Sequence, residues 1–100
     1  MPRDFAIGDL MVFPLELRAR RGELEIELSL REIKILALLV RYRGKVVSRD
    51  MIFEKVWEES YYPSSRTLDQ HIAKLRKRIE RDPKQPAIIK TVHGIGFRYD

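Results

Sequence analysis

The stretch from Ser29 to Val40 constrains this chain more than any other part of it. Ser29-Leu30-Arg31-Glu32 has capping-box spacing, in which the serine hydroxyl caps the first helical turn and the glutamate reaches back to the serine amide. Beyond it Leu30, Ile33, Leu36, Ala37 and Val40 form one helical stripe, and Ile35, Leu38 and Leu39 make the other flank apolar too. A helix this apolar must be covered on two sides, so it is expected at the centre of the core. Arg41 and Arg43 suit the negative end of its dipole, and Gly44 stops it. One hundred residues with a hydrophobic fraction of 44% fit a single packed domain around such a helix.

The segments before this helix read as short strands. Leu15, Leu17 and Ala19 alternate with Glu16, Arg18 and Arg20, and Leu24, Ile26 and Leu28 alternate with Glu23, Glu25 and Glu27. Period two gives each run one apolar and one charged face. Arg20-Arg21-Gly22-Glu23 is the expected turn between them, with acidic residues on one strand opposite arginines on the other. Phe5-Ala6-Ile7 and Met11-Val12-Phe13, split by Gly8-Asp9, form a further hairpin ended by Pro14, so residues 1–28 are expected to make a small antiparallel sheet.

After the core helix, Val46-Val47 is a short extended link and Ser48 caps a second helix, whose buried side is Met51, Ile52, Val56 and Trp57. Residues 58–64 read as an acidic, aromatic loop. Ser64 or Ser65 caps a third helix running to about Glu80 or Arg81, before Asp82-Pro83, so the three helices occupy 29–81. Ile88 to Val92 and Phe97 to Tyr99 flank His93-Gly94-Ile95-Gly96, a terminal hairpin over 88–99.

Charge singles out the last third. Residues 1–63 hold 11 Lys+Arg and 11 Asp+Glu, whereas residues 64–100 hold 9 and 4, so the whole net charge of +5 lies there. In the third helix Leu68, Ile72, Leu75 and Ile79 form a narrow apolar seam. The opposite side carries Arg66, Gln70, Ala73, Lys74, Lys77 and Arg81, with Thr67, His71 and Arg78 along one flank. A solvated basic helix would look like this, and so would one that reads a polyanion. Arginine and lysine pair with phosphate oxygens or the acceptor edge of guanine, and glutamine suits adenine. Helix, loop, basic helix and basic hairpin is the order of a winged helix-turn-helix, with a helix in the major groove and a hairpin at the minor groove.

Other chemistries find little support. The chain has no cysteine, which excludes disulfides, thiolate metal sites and cysteine nucleophiles. His71 and His93 lack partners at metal-ligand spacing, so neither metal nor cofactor is expected. Gly94 and Gly96 lack the third glycine and following helix of a dinucleotide loop. Asp69 and Glu80 have no pocket that would make them an acid/base pair, so no enzyme is expected. The longest apolar run, Ile35 to Val40, is far short of the roughly 18–20 residues that cross a bilayer. The first residues show no signal-peptide core, which makes a cytoplasmic location the expectation.

Several separated motifs in order then resemble one family. Leu30-Arg31-Glu32, Val47-Ser48-Arg49-Asp50, Val56-Trp57, the run Arg66 to Lys77 and the run Thr91 to Arg98 together resemble the OmpR/PhoB-type DNA-binding domains of bacterial two-component response regulators. The resemblance implies an α+β winged helix with a four-stranded N-terminal sheet, three helices and a C-terminal wing. It gives DNA-facing roles to Arg66, Thr67, Gln70, His71, Lys74 and Arg76, beside Lys77 and Arg78. It also puts Arg49 and Trp57 at the phosphate backbone and Thr91 and His93 on the wing, although Trp57 reads most simply as core edge. Arg76 lies beside the apolar seam on the helical wheel. The loop of Glu58, Glu59, Ser60, Tyr61 and Tyr62 would contact RNA polymerase. Ala73, Lys74 and His93 stand where such domains often carry arginine, which weakens transfer of a known operator but not of the binding mode.

The resemblance further implies that two copies bind a direct repeat as a tandem dimer. Because no long apolar helix face is left unburied, the domain is expected to be a monomer in solution. The resemblance also implies a receiver domain outside this chain and a partner histidine kinase. Two alternatives remain open on the sequence: a winged helix that binds an acidic protein, and a DNA-binding domain of a transmembrane or activator-type regulator without a phosphorelay.

Overall fold

The computed structural model describes residues 3–57 and 64–100, the side chain of Ser65 excepted. Four short strands come first: β1 (Phe5–Ile7), β2 (Leu10–Phe13), β3 (Arg18–Arg21) and β4 (Leu24–Glu27). They pair antiparallel in chain order. Gly8 and Gly22 supply the positive φ, +58° at both, that the two tight turns need. Val12, Ala19 and Ile26 lie opposite one another across the sheet and are buried, which fixes its inner face. On the outer face Arg18 lies opposite Glu27, and Arg20 opposite Glu25.

One expectation fails in this sheet. Leu15 and Leu17 do not continue the apolar face of Ala19. Pro14–Glu16 is a 3-10 turn, Leu17 is in the left-handed region with φ 53°, and the strand starts only at Arg18. Proline has no N–H for the ladder, so the chain turns there and Leu15 is left 80% exposed. The alternation at Leu15 and Leu17 was therefore not a strand signal. Leu24, at the start of β4, is also largely exposed, while Ile26 and Leu28 are buried.

Helix α1 (Leu30–Arg41) begins with the full capping box. The Glu32 amide donates to Ser29 Oγ at 3.1 Å, and the Ser29 amide donates to Glu32 Oε1 at 2.8 Å. Ile33, Ile35, Leu36, Leu38 and Leu39 are buried on both flanks, as a central helix requires. Its end is tied to the C-terminus by the Gly44 amide, which donates to the Tyr99 carbonyl at 2.7 Å.

The extended link is a strand, β5 (Val47–Ser48), and it pairs with the terminal hairpin. With β6 (Lys90–Val92) and β7 (Gly96–Arg98) it makes a three-stranded sheet in the order β5-β7-β6. Gly96 permits that approach, because a Cβ there would run into the Val47 carbonyl. Ser48 Oγ accepts from the Met51 amide at 3.1 Å and caps α2 (Arg49–Ile52), which continues as one π turn, Phe53–Trp57. Helix α3 (Ser65–Ile79) is capped by Ser64, and at Glu80 the backbone is already extended. Three helices between two antiparallel sheets, the second carrying a hairpin, make an α+β winged helix. Among the described residues no helix is long and apolar enough to cross a membrane.

Because Gly96 has no room for a side chain, Gly96→Ala should destabilise the domain by about 1–3 kcal/mol, the cost of overpacking. Gly22→Ala, with open space but positive φ, should cost about 1 kcal/mol. Urea denaturation midpoints check the ranking.

Candidate nucleic-acid interface

Leu68, Ile72, Leu75 and Ile79 are all fully buried, so α3 is held by the seam that its sequence defines. Arg66, Gln70, Ala73, Lys74 and Lys77 are consequently exposed on the other side. Among the described residues none forms an ion pair with Arg66, Lys74 or Lys77. The Thr67 hydroxyl lies 3.2 Å from Ser64 Oγ and is part of the helix cap.

His71 lies where α3 meets α1 and the π turn. Its ring stands perpendicular to that of Trp57, with centroids 5.3 Å apart, and Phe53 packs edge-on against the same indole at 5.4 Å. Trp57 is buried, so packing accounts for most of its surface. The Arg31 guanidinium lies 4.5 Å from the Trp57 ring centroid. Ser29, Arg31, Glu32, His71, Lys74 and Arg78 line a cleft of about 290 Å³ between the start of α1 and α3. Burial, with the charge of Arg31 and to a lesser degree that of Lys74, pushes the His71 pKa below its ordinary value; Glu32 opposes them.

Arg31 is the functional candidate that sequence reasoning missed. The helix dipole disfavours a cation in a first turn, and that oddity is the signal that could have found it.

Several predicted cations are held by the protein itself. Arg49 is paired with Asp69 of α3, and its guanidinium lies 5.0 Å from the Phe97 ring centroid. Arg78 donates to the Glu27 carbonyl at 2.9 Å and stands 3.6 Å from Glu32 Oε2, bracing α3 against the sheet and α1. Arg81 donates to Asp9 at 2.8 Å. Arg76 is turned toward the wing, donating to the Ile89 carbonyl at 2.6 Å and to Thr91 Oγ1 at 2.8 Å. Desolvation lowers its pKa, though not enough to discharge a guanidinium. Its place beside the seam on the helical wheel becomes, in three dimensions, a place beside β6.

On the wing, Thr91 is exposed, and His93 lies exposed at the tip next to Gly94, whose φ is +77°. Glu80, weighed as an acid/base partner of Asp69, instead holds backbone amides, and Asp69 holds Arg49. The structure thus brings Arg66, Thr67, Gln70, His71, Lys74 and Lys77 together along one face, with Arg31 beside them. The expected polymerase-contact residues Glu58, Glu59, Ser60, Tyr61 and Tyr62 lie outside the described residues.

Comparison with known proteins agrees with this fold. The family model described as "Transcriptional regulatory protein, C terminal" matches residues 23–99. The Bacillus subtilis alkaline phosphatase synthesis transcriptional regulatory protein PhoP is 35% identical over all of this chain, which spans 42% of that protein's length. The chain therefore covers less than half of this relative. The response regulator DrrB of Thermotoga maritima, an OmpR/PhoB homologue, is 34% identical with a TM-score of 0.82, over 96% of this chain and 43% of that one. The DNA-binding domain of Escherichia coli CadC is 28% identical with a TM-score of 0.85, over 95% of this chain and 89% of that one.

The division of α3 into a buried and an open side has a direct consequence for stability. Gln70→Ala and Lys74→Ala should leave the unfolding free energy, measured by urea denaturation, within about 0.5 kcal/mol of wild type. Trp57→Ala should lower stability by about 3–5 kcal/mol, so that its effect on any ligand must be read through the fold.

Proposed function

Since the chain belongs to the OmpR/PhoB-type C-terminal domains of transcriptional regulatory proteins, we propose that it binds duplex DNA in a sequence-specific way and regulates transcription. The observation that carries this reading is the outward face of α3, where cations and a glutamine stand side by side on a helix fixed by its buried seam. In this reading α3 enters the major groove, with Gln70, Lys74 and Thr67 at base edges and Arg66, His71 and Lys77 along the backbone. Arg49 and Arg31 sit at phosphates flanking the helix, and Thr91 and His93 carry the wing to the minor groove. A module for an acidic protein would offer apolar surface on this face. Ala73 is the one apolar residue among the described exposed side chains between Arg66 and Lys77.

The wider assignments are part of the same proposal. The domain serves as the output of a bacterial, cytoplasmic two-component regulator, with a receiver elsewhere in the longer protein and a histidine kinase acting on it. Residues 58–62 contact RNA polymerase. The domain is a monomer in free solution, and two copies occupy a direct repeat in tandem, roughly 10–11 base pairs apart. Inserting about five base pairs between half-sites turns the second copy to the opposite face and should abolish cooperativity; cooperativity that survives excludes the tandem arrangement.

With Arg31, Arg49, Arg66 and Lys77 at phosphates, log K should fall with log salt at a slope of about −4. Gln70→Ala and Lys74→Ala should each remove roughly 1–3 kcal/mol of preference for the selected site over random duplex. Arg49→Ala should weaken both about equally. Titrations at several salt concentrations measure all of this, and a flat salt response would exclude the reading.

Binding should also depend on pH. In the free domain the His71 pKa is depressed, so its neutral form dominates at pH 7. A phosphate beside it favours the imidazolium against Arg31, Lys74 and Arg78, so the complex takes up a proton. Affinity should therefore rise as pH falls from about 7 to about 5.5, and His71→Gln should flatten the part of that slope that His71 carries.

A further inference from the structure

The joint between α3 and the wing is built around one peptide segment. Glu80 is the first residue after α3, buried, with its backbone extended. Its carboxylate accepts from three consecutive backbone amides. Oε1 takes those of Ala87 at 2.9 Å and Ile88 at 3.0 Å, and Oε2 takes Ile88 at 3.1 Å and Ile89 at 2.8 Å. One turn earlier on the same helix, the Arg76 guanidinium takes the Ile89 carbonyl and Thr91 Oγ1. Ile89 is thus gripped by its N–H from Glu80 and by its C=O from Arg76, while its side chain and that of Ile88 are buried. Among the described residues, strand β6, which starts at the next residue, pairs only with β7.

We propose that Arg76 and Glu80 are positioning residues that set the distance and angle between the recognition helix and the wing, so that major-groove and minor-groove contacts fall in one register. The inference rests on the reading of α3 and the wing as the DNA-contacting elements. Within that reading it moves Arg76 from a DNA contact to a brace, and gives a function to Glu80, an acidic residue that no charge argument would place in a DNA-binding surface. Consecutive amides form a concave donor site for an anion, and a carboxylate that fills it fixes their orientation. A guanidinium reaching two acceptors adds a fork that a lysine cannot reproduce.

The test uses the 100-residue chain and a duplex that wild type selects from a randomised pool. Two footprints are taken at saturating protein: dimethyl sulfate at guanine N7 in the major groove, and hydroxyl radicals at sugars lining the minor groove. Wild type should protect both. Glu80→Gln and Arg76→Lys should keep the N7 protection, lose the flanking sugar protection, and bind about ten- to a hundredfold more weakly, the scale of one or two lost groove contacts. The sign is diagnostic, because Glu80→Gln removes a negative charge and simple electrostatics would strengthen binding. Arg76→Lys keeps its charge, so a plain phosphate contact would survive it. Circular dichroism establishes that each variant is folded, and Arg76→Lys decides alone should Glu80→Gln not fold. Folded variants that retain both protections, or lose both together, overturn the proposal. Wild type without flanking sugar protection would instead refute the placement of the wing in the minor groove, and the proposal with it.

Discussion

The burial of Leu68, Ile72, Leu75 and Ile79 is the interaction on which the rest of this domain depends. Each fully buried leucine or isoleucine contributes roughly 1.5–3 kcal/mol of transfer free energy, so the four amount to about 6–12 kcal/mol before entropy is charged against them. That is comparable with the whole net stability of a small domain, about 5–15 kcal/mol. The rotation of α3 about its axis is therefore not adjustable. With the seam inward, Gln70, Lys74 and Lys77 point outward at helical spacing, and no separate device is needed to present them. The same cluster contains Ile33, Ile35, Leu36 and Leu39 of α1, so the central helix and the functional helix are fixed by one core.

Electrostatics is organised around that core in two layers. Some cations brace the fold: Arg78 against Glu27 and Glu32, Arg76 against Ile89 and Thr91, and Arg21 and Arg81 against Asp9. Most of these are at least partly exposed, where an ion pair is worth about 0–1 kcal/mol. Their value lies in geometry rather than in stability. Arg66, Lys74 and Lys77 form the second layer and remain available to a polyanion. The local excess of positive charge in residues 64–100 thus overstates how many cations face outward, though not the direction in which they face.

Most of the architecture was legible because its signals are periodic or local. The seam of α3, the capping box at Ser29 and the turn at Gly22 each follow from residue type and spacing alone. Most of what escaped depended on contacts distant in sequence. Leu15 and Leu17 mimicked a strand because period two is cheap to match by chance over a few residues, and only Pro14 argued against it. The pairing of Val47 with Phe97 spans half the chain, and the absence of a side chain at Gly96 is meaningful only once that pairing is known. Arg31 was absorbed into the capping motif and proved to lie over Trp57. Arg76 was given a DNA-facing role by family resemblance, and its partners, the Ile89 carbonyl and Thr91 at the start of the wing, lie more than ten residues away where no periodicity of α3 points to them.

In the function proposed, the outward face of α3 and the wing tip form one nucleic-acid surface. The most direct test is the amide chemical-shift map of the labelled domain as a duplex is added at low salt. The claim predicts perturbations concentrated at residues 64–78, at 91–96 and at the start of α1 around Arg31, with the outer face of the N-terminal sheet, Arg18, Arg20, Glu25 and Glu27, unaffected. Perturbations centred on that sheet, or spread evenly over all basic residues regardless of position, would contradict it.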